Sequence, residues 1–187
     1  MIEWRQLQLP LSADTIAGLK AGDKVMLSGT IFAARDAAHK RFIAALDRGE
    51  CLPIDLETAA IYYMGPSPTR PGDIIGSCGP TTSARMDKYT PRLLEQGLKV
   101  MIGKGNRSPD ILDAIKQHDA VYLITIGGAG ALLSTKVKNC EVVAYDDLGA
   151  EAVLKLEVER FPAVVAIDSQ GNDVCQTGPA QYRTRGK

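Results

Sequence analysis

One run constrains this chain more than any other: Gly76-Ser77-Cys78-Gly79-Pro80-Thr81-Thr82-Ser83-Ala84-Arg85-Met86-Asp87. Gly79-Pro80 dictates a turn, because proline fixes φ and removes an amide donor. Three successive hydroxyls follow, then Arg85 and Asp87. Upstream, Asp73-Ile74-Ile75 reads as a short strand. Downstream, 89–97 reads as a helix stopped by Gly97. The run is therefore expected on a strand-to-helix connection. There, backbone N–H groups, hydroxyls and a guanidinium can converge on a carboxylate or phosphate. The same residues also read as a polar loop that only caps a helix.

The remaining chain narrows the setting. Its 187 residues suit one hydrophobic core, so a single domain over 1–187 is expected, with 1–20 as an N-terminal extension and 177–187 as a polar tail. A formal net charge of +0 argues against non-specific binding to nucleic acid or to a membrane surface. No apolar run reaches membrane-spanning length, and Met1-Ile2-Glu3-Trp4-Arg5 lacks the features of a signal peptide, so a cytoplasmic location is expected. Cys51, Cys78, Cys140 and Cys175 are far apart and form no C-x-x-C pair. They read as ordinary reduced cysteines, with no metal site built from this chain's own residues.

Strand signals fall at 7–11, 24–31, 52–56, 59–64, 99–103, 120–126, 141–145 and 161–168. Helical periodicity runs over 33–48, where Ala34, Ala38, Phe42 and Ala45 share a face and Gly49 ends it. Ser108-Pro109-Asp110 opens another helix, with proline at its first position. Residues 149–156 read as a short helix or a helix followed by a strand. This alternation predicts an α/β fold, a sheet core with helices on one side.

Three polar junctions follow strands and precede helices: Gly29-Thr30 into Arg35, Gly79-Pro80-Thr81 into Arg85, and Gly103-Lys104-Gly105-Asn106-Arg107 into Ser108. Ligands of α/β sheets bind beyond the carboxyl ends of strands. Arg35, Arg85 and Lys104 could thus meet one small anion. Two guanidiniums suit a dicarboxylate, since each can fork onto one carboxylate. Taken singly, each cation also reads as an ordinary surface charge. His39 lies four residues beyond Arg35, on the same helix face. Neither Gly103-Lys104-Gly105 nor Gly127-Gly128-Ala129-Gly130 fits a nucleotide-binding glycine pattern.

Ser28-Gly29-Thr30, Ala34-Arg35-Asp36-Ala37-Ala38-His39, Tyr63-Met64-Gly65-Pro66, the run 76–87, Gly103-Lys104-Gly105, Leu148-Gly149-Ala150-Glu151-Ala152 and Phe161-Pro162-Ala163 occur in this order. Together, over 24–172, they resemble the β subunit, or C-terminal domain, of class I iron–sulfur fumarate hydratases and L-tartrate dehydratases. The resemblance implies a swivelling β/β/α-type single domain. It implies a [4Fe–4S] cluster bound by a partner α subunit and not by this chain, in a hetero-oligomer such as α2β2. It implies that Thr81 is the proton-transfer residue. Arg35, Arg85 and Lys104 would bind the substrate carboxylates, with Ser83 beside them. His39 would orient Arg35 or hydrogen-bond substrate. Asp87 is the rival to Thr81 within this chain.

The expected function is a hydro-lyase subunit that reversibly hydrates a C4 dicarboxylate, fumarate to malate. The alternatives are the β subunit of an L-tartrate dehydratase and a non-catalytic carboxylate-binding module. A threonine hydroxyl is a weak base in water, so Thr81 needs activation by a neighbouring group.

Overall fold

Alternation along the strands builds two cores from one sheet. In Lys24–Ala33 (β2), Val25, Leu27, Ile31 and Ala33 are fully buried on one face. In Ala60–Tyr62 (β3), Val100–Gly103 (β4) and Val121–Ile124 (β5), residues Tyr62, Ile102 and Leu123 join that face, while Ile61, Met101 and Tyr122 point the other way. The computed structural model describes residues 4–183.

Arg5–Gln8 (β1), β2, β3, β4 and β5 lie side by side in parallel. The long strand Val153–Ile167 (β7) runs antiparallel to β5 and also to β2, while Val137–Ala144 (β6) lies on β7. The order β1-β2-β3-β4-β5-β7-β6 with the added β2–β7 pairing closes β2, β3, β4, β5 and β7 into a ring. Closure gives the fold its barrel-like core and leaves β1 and β6 as the outer strands of the sheet. Val25, Leu27, Tyr62, Ile102, Leu123, Phe161 and Val165 belong to the inner cluster. The outer cluster is covered by Asp36–Asp47 (α2), Thr90–Glu95 (α3) and Pro109–Gln117 (α4), through Phe42, Leu93, Ile111 and Ile115. Ile16 of Ala13–Ala17 (α1) and Leu133 of Gly130–Ser134 (α5) join the inner cluster. Val174–Arg183 (α6) follows β7. No helix among the described residues is long and apolar enough to cross a membrane. The α/β class with a sheet core agrees with the sequence reading.

Several local readings change. The N-terminal stretch is no appendage, since β1 pairs with β2 and Leu7, Leu9, Ile16 and Leu19 are buried. Asp73-Ile74-Ile75 forms no strand, and Ile74 is 53% exposed. Residues 65–79 form a loop whose prolines withhold ladder donors, and the strand that precedes the hydroxyl run is β3. Residues 52–56 form no strand either. The expected separate elements at 149–156 and 161–168 are a 3₁₀ turn, Asp146–Glu151, followed by one continuous β7. A register shift opposite Leu27 and Gly29, with Arg160 at φ 52°, lets the strand continue into Pro162, which by itself looks like a strand start. The polar tail from Thr177 is helical as far as Arg183; its last four residues lie outside the described residues.

His39 sits on the buried face of α2, fully enclosed among Phe42, Tyr63 and Tyr89. Nδ1 lies 3.0 Å from the Arg35 carbonyl oxygen, so Nδ1 carries the proton, and Nε2 has no hydrogen-bond partner among the described residues. Burial lowers its pKa from 6.5 to about 4, against the pull of the Arg35 carbonyl. The folded protein therefore holds His39 neutral while the unfolded chain takes up a proton below pH 6.5. This stability is complete above pH 6.5 and is lost as pH falls towards 4, on the order of 3 kcal/mol in all. Thermal melts of wild type and His39→Phe should show a wild-type advantage at pH 7 that shrinks by pH 4.5. Parallel pH dependences would contradict this.

Candidate active site

Arg35 stands at the junction of β2 and α2, as the residue preceding the first turn of the helix. Its Nε lies 3.3 Å from Asp36 Oδ2 and its Nη2 3.4 Å from Glu151 Oε1. Glu151 also accepts the Ala37 N–H at 2.8 Å. The start of α2 is thus satisfied by the chain's own carboxylates, Asp36 in the first turn and Glu151 from beyond β6. Gly65 makes room for this arrangement: a Cβ there would lie 2.7 Å from the Ala150 carbonyl oxygen and 3.0 Å from Arg35 Cδ. Asp36 has a second guanidinium, because Arg85 Nε donates to Oδ1 at 2.8 Å. Two arginines distant in sequence therefore meet on one carboxylate.

The hydroxyl run is threaded between β3 and the end of β4. The Thr81 N–H donates to the Tyr63 carbonyl at 2.7 Å, and the Ser83 N–H to the Lys104 carbonyl at 2.9 Å. The Lys104 N–H returns a bond to Ser83 Oγ at 3.1 Å. Ser83 crosses so close to β4 that a Cβ on Gly103 would lie 2.0 Å from its Oγ. The Tyr122 hydroxyl is 2.8 Å from Ser83 Oγ and 2.9 Å from the Gly105 carbonyl. That phenol has one proton and the carbonyl can only accept, so Tyr122 donates to Gly105 and Ser83 donates to Tyr122. Burial pushes the phenol's pKa up, which keeps it protonated in this role. The Cys78 N–H bonds the Gly130 carbonyl at 3.0 Å, so the glycine run 127–130 flanks the entry to the hydroxyls.

The expected residues thus fall into two groups. Arg35 and Arg85 are joined through Asp36, and Thr81, Ser83 and Lys104 are joined through backbone pairing. Ser83 is fully buried with its hydroxyl committed inside the protein. His39 is likewise enclosed and contacts the backbone of Arg35, not an open surface. Asp87 is occupied by other groups: Oδ1 accepts from Arg107 Nε at 2.6 Å and Oδ2 from the Ser108 N–H at 2.9 Å. The Arg107 side chain is fully buried, bonds Thr90 Oγ1 at 2.7 Å and lies 5.0 Å from the Tyr122 ring centroid. Sequence reading missed Asp36, Glu151, Arg107 and Tyr122 as organisers. Asp36, Glu151 and Arg107 lay within the quoted motifs, and a strand tyrosine such as Tyr122 carries no local signal.

A metal cluster is poorly matched by this chain's donors. No group of three or more His, Cys, Asp or Glu side chains among the described residues could hold a metal ion. Cys78 is buried, and desolvation, with Cys140 nearby, pushes its thiol up to about 12, far from the thiolate that iron requires. Burial raises Cys140 and Cys175 as well, and Cys51 is exposed. No step can be built here on a cluster held by these residues.

The profile of the Fumarase C-terminus family matches residues 3–178. An aerobic class I fumarate hydratase of Salmonella typhimurium is 46% identical over 155 residues, covering 82% of this chain and 27% of the relative. This chain therefore spans about a quarter of the length of the class I fumarate hydratases it matches. A putative L(+)-tartrate dehydratase subunit beta of Methanocaldococcus jannaschii is 39% identical over 170 residues, covering 88% of this chain and 87% of the relative. The L(+)-tartrate dehydratase subunit beta of Escherichia coli is 33% identical over 173 residues, with coverages of 90% and 85%. The family profile spans the ring, the paired arginines and the hydroxyl run together, and the chain belongs to the Fumarase C-terminus family.

Proposed function

We propose that this chain is the β subunit of a hydro-lyase that reversibly hydrates fumarate to malate. It would work with a partner α subunit that holds a [4Fe–4S] cluster, in a cytoplasmic hetero-oligomer such as α2β2. The observation that carries the reading is the meeting of Arg35 and Arg85 on Asp36, within a family of hydro-lyase subunits and domains. The higher identity to fumarate hydratases favours fumarate as substrate. A second reading, L-tartrate dehydration, is favoured by the match in chain length to tartrate dehydratase β subunits.

In this reading the cations receive the substrate carboxylates. Removing the proton beside a carboxylate places negative charge on its oxygens, and Arg35, Arg85 and Lys104 are the groups of this chain that stabilise it. Thr81 moves the proton at that carbon. Its backbone, fixed to Tyr63, holds the hydroxyl in place. The buried Ser83 and His39, with the partly buried Asp87, support the site from beneath. Addition of oxygen at the other carbon belongs to the partner chain.

Co-expression with a cysteine-bearing α subunit without oxygen, followed by assays with fumarate and with L-tartrate, tests the reading. Activity on neither substrate would overturn it. Within the active complex, Thr81→Val should lower kcat by roughly 10²–10⁴-fold while KM changes little. Thr82→Val, on the adjacent exposed residue, should have a much smaller effect. Equal losses would reduce Thr81 to a structural residue.

Asp87→Asn should act on stability. It leaves the buried Arg107 guanidinium without its ion-pair partner, a loss of about 3–5 kcal/mol and a fall in Tm on the order of 10 °C. Below that lowered Tm, kcat should stay near the wild-type value. A large kcat loss with an unchanged Tm would return Asp87 to the role of base.

A further inference from the structure

We infer that Asp36 is a positioning residue that sets which dicarboxylates the site accepts, by fixing the distance between two guanidiniums. The inference rests on the reading that Arg35 and Arg85 receive the two carboxylates or the two ends of their charge. The two arginines are held by their surroundings to different degrees. Arg35 is 23% exposed, wedged beside Gly65, and tied twice, to Asp36 and to Glu151. Arg85 is 51% exposed on the 3₁₀ turn Ser83–Met86, and among the described residues its one ion-pair partner is Asp36.

The geometry of the contact matters more than its strength. Each carboxylate oxygen of Asp36 takes an Nε: Oδ1 that of Arg85 at 2.8 Å, Oδ2 that of Arg35 at 3.3 Å. Binding Arg85 through Nε leaves its Nη pair free to fork onto a ligand. Without Asp36, a half-exposed arginine would sample many rotamers, and the spacing between the two cations would cease to be a fixed quantity. Asp36 also sets the charge. Arg35 and Arg85 stand against Asp36 and Glu151, so the two positive charges are balanced, and Asp36 supplies one of the two negative charges. A site balanced in this way binds a diacid by matching its geometry and holds simple anions weakly. Removing Asp36 is therefore expected to reduce selectivity and, at the same time, to strengthen attraction for any monoanion.

Titration calorimetry of the full chain with malonate, succinate, glutarate and acetate tests this. The three diacids serve as rulers of increasing length. Wild type should prefer one length, and Asp36→Asn should lose about tenfold of that preference, the value of one charge-assisted contact. Acetate should bind Asp36→Asn more tightly than wild type, a gain that mere loosening of the fold would not produce. Arg85→Lys keeps the charge but removes the Nε contact. It sits on an exposed side chain and should flatten the length preference without improving acetate binding. A wild-type length preference that persists in both variants overturns the role of Asp36 and leaves the proposed function standing. A wild-type chain that binds none of the diacids overturns the role of Asp36, while hydratase activity of the co-expressed complex decides the proposed function separately.

Discussion

The reciprocal bonding of Ser83 and Lys104 over Gly103 is the constraint on which the site depends. The Ser83 N–H and hydroxyl face one backbone unit of Lys104, which accepts from the first and donates to the second. This treats an irregular loop as though it were one more strand beside β4, and it brings Thr81 and Lys104 to the same end of the ring. Any side chain at position 103 would push the loop away, so glycine there is a requirement of contact, not of backbone conformation. The buried hydroxyl of Tyr122 then meets the hydrogen-bonding capacity of Ser83 and of the Gly105 carbonyl, while the neighbouring Tyr63 hydroxyl is buried without a partner among the described residues.

Two kinds of guanidinium lie on either side of this layer. Arg107 is sealed beneath it between Tyr63 and Tyr122, paired with Asp87 and Thr90. Its side chain is fully buried, out of reach of a ligand, and serves to hold the 3₁₀ turn against the start of α4. Arg35 and Arg85 lie at the surface of the layer, where water still competes and a ligand can displace it. Surface ion pairs contribute little to stability, about 0–1 kcal/mol, so the contacts of Asp36 are poorly explained as folding energy. They are better explained by the arrangement they impose on neighbouring charges.

The elements with strong periodicity were legible in the sequence: α2 from Ala38, Phe42 and Ala45, β4 and β5 from their apolar runs, and α4 from Ser108-Pro109. Readings failed where distant residues decide the outcome. Ile74 and Ile75 look like strand residues, yet no neighbour offers them a ladder. Pro162 looks like a boundary, yet the bulge at Arg160 carries β7 past it. In the site, the cations were visible because charge at a strand end is a local signal. The partnership of Asp87 with Arg107 was not, since it joins two loops through a buried contact that neither segment announces. Ser83 and His39 also gave no sign of burial, because Lys104 and Tyr122 around the first, and Tyr63 and Tyr89 around the second, become neighbours only in the folded ring.

The closure of the ring has a consequence for how the molecule comes into being. β2 lies early in the chain and β7 near its end, and the two are paired along the whole of β2. During synthesis, β2, β3, β4 and β5 emerge long before the strand that completes them. Until β7 arrives, the inner row of Val25, Leu27, Ile31 and Leu123 faces water, and both flanks of the nascent sheet lack their last partner. Contacts between such distant segments carry a large loop-closure cost and slow the search for the native state. The order of elements along the chain therefore leaves β2, β3, β4 and β5 without their closing partner, and their apolar row uncovered, until β7 has been made.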